Sequence, residues 1–118
     1  MGGSVTPDRR THPRVPVSID GRWQGQAAAG LCQAVDLGLG GCFARTGLPP
    51  PLDERILITL FLGGRGAMPI AGHVSRVDPS AGFAVRFDDM PPEARYRLSE
   101  EITRIRRRTP AASSTVIS

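Results

Sequence analysis

The chain has 118 residues, 40% of them hydrophobic and 22% charged, which suits one globular domain with a modest core and no second module. Its formal charge is +4, and all 15 basic residues are arginine. No apolar run reaches the roughly 18 residues that span a bilayer, and two cysteines are too few for a four-ligand zinc site, so a membrane span and a structural zinc module are excluded.

Residues 1–7 are small, polar and Pro/Gly-containing, and are expected to be disordered. The chain lacks the apolar core of a signal peptide at its start and reads as cytoplasmic. An arginine arm follows, Asp8-Arg9-Arg10-Thr11-His12-Pro13-Arg14. Pro13 and Pro16 hold the backbone extended on either side of Arg14. Val15, Val17 and Ile19 then alternate with Pro16, Ser18 and Asp20, which predicts a first strand with one buried face. Its prolines argue for an edge position or a late entry into the sheet. Gly21-Arg22-Trp23 extends it, and residues 24–30 form a loop.

Leu31–Asp36 and Gly41–Arg45 read as the second and third strands. The turn between them carries Gly38, Gly40 and Gly41, whose expected use is positive φ or the close approach of another molecule. Asp36 is placed to accept from the turn's own amides. Cys32 and Cys42 flank this turn and face each other across a hairpin or lie apart as reduced, half-buried thiols. After a rigid connection with three consecutive prolines, Arg55–Leu62 gives the strongest strand signal. It is apolar on both faces, as expected of a strand covered on its second side. Gly63-Gly64-Arg65-Gly66 reads as a hairpin turn, Met68–Val77 as the fifth strand and Gly82–Phe87 as the sixth.

From Pro91 the period changes. Ala94, Leu98, Ile102 and Ile105 recur at helical spacing, predicting an amphipathic helix over about 91–107. Glu93 suits its N-terminal end, and Arg104, Arg106, Arg107 and Arg108 suit its C-terminal end. Residues 109–118 are expected to be a disordered tail. The fold class is therefore all-β with one C-terminal helix: a six-stranded antiparallel barrel over residues 8–108, the helix packed near an open end.

Nothing in the chain points to catalysis. His12 and His73 have no Cys, Ser or carboxylate neighbour at a motif spacing, and nucleophile-elbow, zinc-protease and P-loop patterns are absent. Asp53-Glu54, Asp88-Asp89 and Glu100-Glu101 read as solvated charge. The arginine arm is more telling. A guanidinium forks onto phosphate or onto the O6/N7 edge of guanine and stacks on base faces. A glycine turn beside it offers unobstructed backbone amides.

The arm Arg10-x-x-x-Arg14, followed by the turn Asp36-x-Gly38-x-x-Gly41, resembles the Arg-x-x-x-Arg and Asp-x-Ser-x-x-Gly motifs of the PilZ domain. That domain is a small β-barrel which binds the bacterial second messenger cyclic di-GMP. Gly82-Phe83-Ala84-Val85-Arg86-Phe87 is similar to the family's late strand. The resemblance implies a PilZ-type barrel and a receptor with no metal, no cofactor and no chemistry of its own. It assigns the nucleotide to Arg9, Arg10, Arg14, Asp36, Gly38 and Gly41, with Gly38 standing where the family has serine. The lost hydroxyl implies a roughly tenfold weaker site, since one neutral hydrogen bond is worth about 0.5–1.5 kcal/mol. The implied partners are cyclic di-GMP and an effector protein, reached through a rearranged arm, with the chain a monomer or weak homodimer. The alternative is a nucleotide-independent adaptor in motility or secretion machinery. A nucleic-acid-binding barrel, suggested by the high pI and the arginine run, is disfavoured by the few aromatics available for base stacking.

Overall fold

The structure, a computed structural model, describes residues 13–116, and the side chains of residues 13–108. The strands are β1 (Val15–Gln24), β2 (Ala29–Leu37), β3 (Gly41–Arg45), β4 (Arg55–Phe61), β5 (Ala67–Asp78) and β6 (Gly82–Phe87), followed by the helix α1 (Pro92–Val116). All pairings are antiparallel, and the strands close in the order β1-β2-β3-β6-β5-β4. The expected six-stranded barrel with one C-terminal helix is the observed fold.

Period-two alternation builds the core. Ile56, Ile58 and Leu60 of β4, Met68, Ile70 and Val74 of β5, and Phe83, Val85 and Phe87 of β6 all point inward and are buried. Each such side chain contributes about 1.5–3 kcal/mol on leaving water. Ala34 and Ala44 are register partners and both fully buried, so β2 and β3 line their part of the interior with small side chains. Trp23 and Phe83 meet edge to face at 6.2 Å between ring centroids. The β4–β5 connection is a single 3₁₀ turn, Gly63–Arg65, in the place where the sequence predicts a hairpin turn.

Two expectations need correction, and a third is narrowed to one of its alternatives. The outer face of β4 is not covered: Leu57 and Phe61 are exposed, because α1 packs on the β1 side of the barrel. An apolar pattern alone does not tell a covered face from an exposed one. The prolines of β1 mark the late entry into the sheet that the sequence offers as an alternative to an edge. From Val15 to Asp20 the strand borders β2 alone, with a bulge between Pro16 and Ile19, and β4 joins it only over Gly21–Gln24. Finally, α1 runs through Ala111 and Ala112, both strong helix formers, to Val116 rather than ending near 107. The arginines 104–108 therefore sit in mid-helix and not in the last turn. The expected disorder of residues 1–7 lies outside the described residues.

Leu98 and Ile102 of α1 join the barrel core. Glu101, read from sequence as solvated charge, is buried between them. It accepts from Arg65 twice, Nε to Oε2 at 2.5 Å and Nη2 to Oε1 at 2.9 Å, while Arg97 Nη2 donates to the Arg65 carbonyl at 2.8 Å. This fork staples the helix to the β4–β5 turn. The Arg65 hydrogen bonds hold the Glu101 carboxyl below its ordinary value, against the opposing effect of burial. A depressed carboxyl contributes stability that is full above its ordinary value and is lost as pH falls through the lowered one. Glu101→Gln is therefore expected to lower the melting temperature by a few degrees at pH 7. The gap to wild type should close as the pH is taken down below the ordinary glutamate range. Melting curves across that range, with a constant gap as the opposing result, check this.

Candidate functional site

β1 and β2 are paired so that Val15 faces Leu37 and Pro16 faces Asp36. That register sets Arg14, one residue ahead of β1, beside the end of β2. Arg14 Nη1 donates to Asp36 Oδ1 at 3.2 Å. The same oxygen accepts the Phe43 amide at 2.8 Å. Asp36 therefore bridges the arm and β3, and its backbone donor comes from β3 rather than from the turn's own amides. A bulge between Ala34 and Asp36 in the β2–β3 ladder turns the carboxylate into this position. The ion pair is partly exposed on both sides, so its own contribution to stability is below about 1 kcal/mol.

The turn is closed by the Gly38 amide on the Gly41 carbonyl at 2.9 Å, and the Phe87 amide donates to the Gly40 carbonyl at 2.8 Å. Its glycines are not there for positive φ, which among the described glycines belongs to Gly63, Gly66 and Gly82. They are there for closeness. A Cβ on Gly41 would collide with the Val85 carbonyl of β6 and lie 3.3 Å from Arg14 Nη2. A Cβ on Gly38 would lie 2.9 Å from the Pro13 carbonyl oxygen and 3.0 Å from Arg14 Cγ. Gly38, in the place of the motif serine, lets the arm settle directly on the turn.

Gly38→Ser should therefore unseat the arm, because the obstructing atom is backbone. Limited trypsin cleavage at the Arg14–Val15 bond is expected to speed up several-fold. Gly47→Ser, at a position with nothing within 4 Å, should leave the rate alone. Equal rates in both variants would show that Gly38 does not seat the arm.

Of the six residues assigned to the site from sequence, the structure brings Arg14, Asp36, Gly38 and Gly41 together. Arg9 and Arg10 lie outside the described residues. Sequence reasoning passed over what adjoins them on the barrel wall. Phe43 points outward with the Arg76 guanidinium 5.5 Å from its ring centroid, and Arg86 is opposite Gly41 in the β3–β6 register and exposed. The alternation of β3 and β6 marks these side chains as outward, but only the strand order makes them neighbours.

Among the described residues no catalytic geometry assembles. Cys32 and Cys42 are buried free thiols and are not register partners: Cys32 pairs with Gly21 and Cys42 with Leu37. Burial pushes Cys32 up to about 11. Burial, reinforced by the Asp36 charge, pushes Cys42 up to about 12, so neither forms a thiolate nucleophile near neutrality. His73 is half-exposed with Nδ1 3.7 Å from Asp88 Oδ1, and Arg55 Nη2 donates to Asp88 Oδ2 at 3.0 Å. Among the described residues no group of three or more His, Cys, Asp or Glu is placed to hold a metal ion.

The sequence profile of the PilZ domain matches residues 8–104. No curated protein matches the chain. Among solved structures, the PilZ domain with c-di-GMP of YcgR from Escherichia coli superposes with a TM-score of 0.76 at 16% identity, over 90% of this chain and 98% of that one. The PilZ domain of CeSA from a cellulose-synthesizing bacterium gives 0.68 at 13% identity, over 80% and 98%. The Bacillus subtilis inhibitor of motility MotI/DgrA gives 0.68 at 16% identity, over 83% of this chain and 51% of that longer one. At these identities the likeness is one of fold.

Proposed function

Because the chain belongs to the PilZ domain family, a family of non-catalytic domains, we propose that it is a cyclic di-GMP receptor acting in the cytoplasm through a protein partner. The observation that carries this reading is Arg14 seated on Asp36 against the glycine turn. Two of its guanidinium nitrogens face the site. Nη1 is engaged by Asp36, and Nη2 lies over Gly41, where no side chain intervenes. A forked donor fixed in this way meets a phosphate or the O6/N7 edge of a guanine without first being ordered.

Arg10, four residues earlier in the motif, adds a second fork, and Arg9 a stacking plane. Nucleotide draws the arm onto the barrel around Asp36, Gly38 and Gly41. The rearranged arm then presents a new surface to an effector. Binding here means differential affinity for the closed arm, which Gly38 favours already in the free protein. The glycine then offsets part of what the missing hydroxyl would have contributed.

Isothermal titration with cyclic di-GMP, with GTP as control, tests the reading. Binding in the low-micromolar range or tighter supports it, and the stoichiometry distinguishes one nucleotide from a stacked pair. Silence up to roughly 100 μM would overturn it. The second reading, a nucleotide-independent adaptor, is favoured by the absent serine and by the exposed apolar outer face of β4 at Leu57 and Phe61. It predicts a protein partner retained in the complete absence of nucleotide. No described helix is long and apolar enough to cross a membrane.

A further inference from the structure

We infer that the end of the barrel away from the arm and the glycine turn takes an extended, uncharged peptide segment of a partner protein, laid along a free edge of β2 with a backbone carbonyl on the Trp23 indole N–H. This site is separate from the one proposed for nucleotide, and it holds for a receptor and for an adaptor alike.

The topology keeps the two ends apart. The start of β1, the β2–β3 turn and the β4–β5 turn that anchors α1 lie at one end. The β1–β2 turn, the β3–β4 connection and the β5–β6 turn lie at the other. There a cleft of about 440 Å³ opens between Ala28–Leu31 and Thr46–Pro51, with Trp23 beneath it. Its size is that of a binding pocket, roughly 300–1,000 Å³. No charged residue lines it, although 22% of the chain is charged. It therefore offers nothing to a phosphate, a nucleic acid or an anionic lipid.

A strand edge runs along one side. β1 borders β2 as far as Ala29, but β3 joins β2 only from Gln33 onward, so Ala29–Cys32 has no strand on its β3 side. The Leu31 carbonyl points to that side, where the Thr46 hydroxyl donates to it at 3.0 Å. In an antiparallel ladder the amide of the same residue points the same way. Such an edge accepts an added strand through its backbone groups, while side-chain pockets select the sequence.

The second observation is a donor without an acceptor. Among the described residues, the Trp23 indole nitrogen is the buried side-chain polar atom with no hydrogen-bond partner. It lies against Gly30, where a Cβ would stand 3.0 Å away, so the missing side chain keeps this approach to the N–H open. A buried N–H left unpaired costs free energy that an incoming carbonyl returns. The third is apolar surface on both walls. Leu31 and Leu48 are 76% and 82% exposed, more than any other large apolar side chain described. The wall that carries Leu48 is rigid, because three prolines follow it and Pro50 is fully buried. A preformed wall loses little freedom on binding.

The chain has one tryptophan, so the indole N–H gives a single resonance in a proton–nitrogen NMR spectrum. Titration of the full chain with a capped heptapeptide in which leucine alternates with serine tests the inference. The indole resonance is expected to move downfield and saturate below ~1 mM peptide. Leu31→Ser and Leu48→Ser, both at exposed positions, should each weaken binding about fivefold or more. Tyr96→Ser, an exposed position on α1 outside the cleft, should bind like wild type. A peptide with glutamate in place of leucine should leave the resonance where it is. A resonance that stays still with the leucine peptide, or a shift equal in all the variants, would overturn the inference. So would a shift that follows protein concentration without peptide, which would give the cleft to a second copy of the chain.

Discussion

Arg14→Ala is expected to weaken cyclic di-GMP binding about 10- to 100-fold while leaving the barrel as stable as before. Each charge-assisted hydrogen bond to a ligand is worth about 1.5–3 kcal/mol, and the Arg14 fork supplies at least one. Its cost to the fold is small, because the pair with Asp36 is partly exposed and Asp36 keeps the Phe43 amide when the arginine is gone. Affinity and stability should therefore separate cleanly. Arg14→Lys restores the charge but not the planar fork, and should recover only part of the loss. Titration of the three proteins, alongside urea unfolding followed by the fluorescence of Trp23, makes the comparison. An Arg14→Ala protein of unchanged affinity would remove the arm from the site.

The largest effect on the fold is expected from Gly82→Ala. Gly82 opens β6 with φ +155, a backbone conformation that side chains rarely adopt. An added Cβ would collide with the Ala44 carbonyl and come within 2.8 Å of Arg45 Cα, both backbone atoms of β3. Nothing flexible is there to yield. The ladders that Gly82 makes with Arg45 of β3 and Asp78 of β5 must both shift. A strained position combined with a backbone collision costs about 3 kcal/mol or more. For a domain of this size that lowers the melting temperature by roughly 10 °C or more. Gly64→Ala, where nothing lies within 4 Å, is the matched control and should change stability by less than about 0.5 kcal/mol. A Gly82→Ala protein that melts with the control would show that β3 and β6 part without penalty.

Local pattern made most of the barrel legible. The limits of β3 and β6 match the runs Gly41–Arg45 and Gly82–Phe87 because alternation there is bounded on both sides by turn residues. The arm and turn were legible as a pair because their residue types and spacing form a motif. What stayed hidden was whatever depends on two distant segments meeting. Glu101 reads as one of two adjacent carboxylates on a helix, and only the arrival of Arg65 from the β4–β5 turn makes its burial tolerable. The glycines of the turn signal freedom of φ, yet their use is to admit Pro13 and Val85, which sequence does not place beside them. Arg86 and Phe43 come to adjoin the turn only because β3 lies against β6 instead of β4.

That same strand order bears on how the molecule is made. β1, β2 and β3 form one meander and β4, β5 and β6 another, each built from neighbours along the chain. Two seams join them, Gly41–Arg45 against Gly82–Arg86 and Gly21–Gln24 against Leu57–Leu60. Both require long loops to close before they repay the lost chain entropy, so zipping the meanders is fast and sealing the barrel is slow. Arg14 and Asp36 belong wholly to the first meander, 22 residues apart. Their contact is thus available to a half-assembled chain emerging from synthesis, whereas the seating of Gly41 against the Val85 backbone comes into being only when the second meander docks. A nucleotide that needs both would bind the sealed barrel alone and, by mass action, draw late-folding chains towards it.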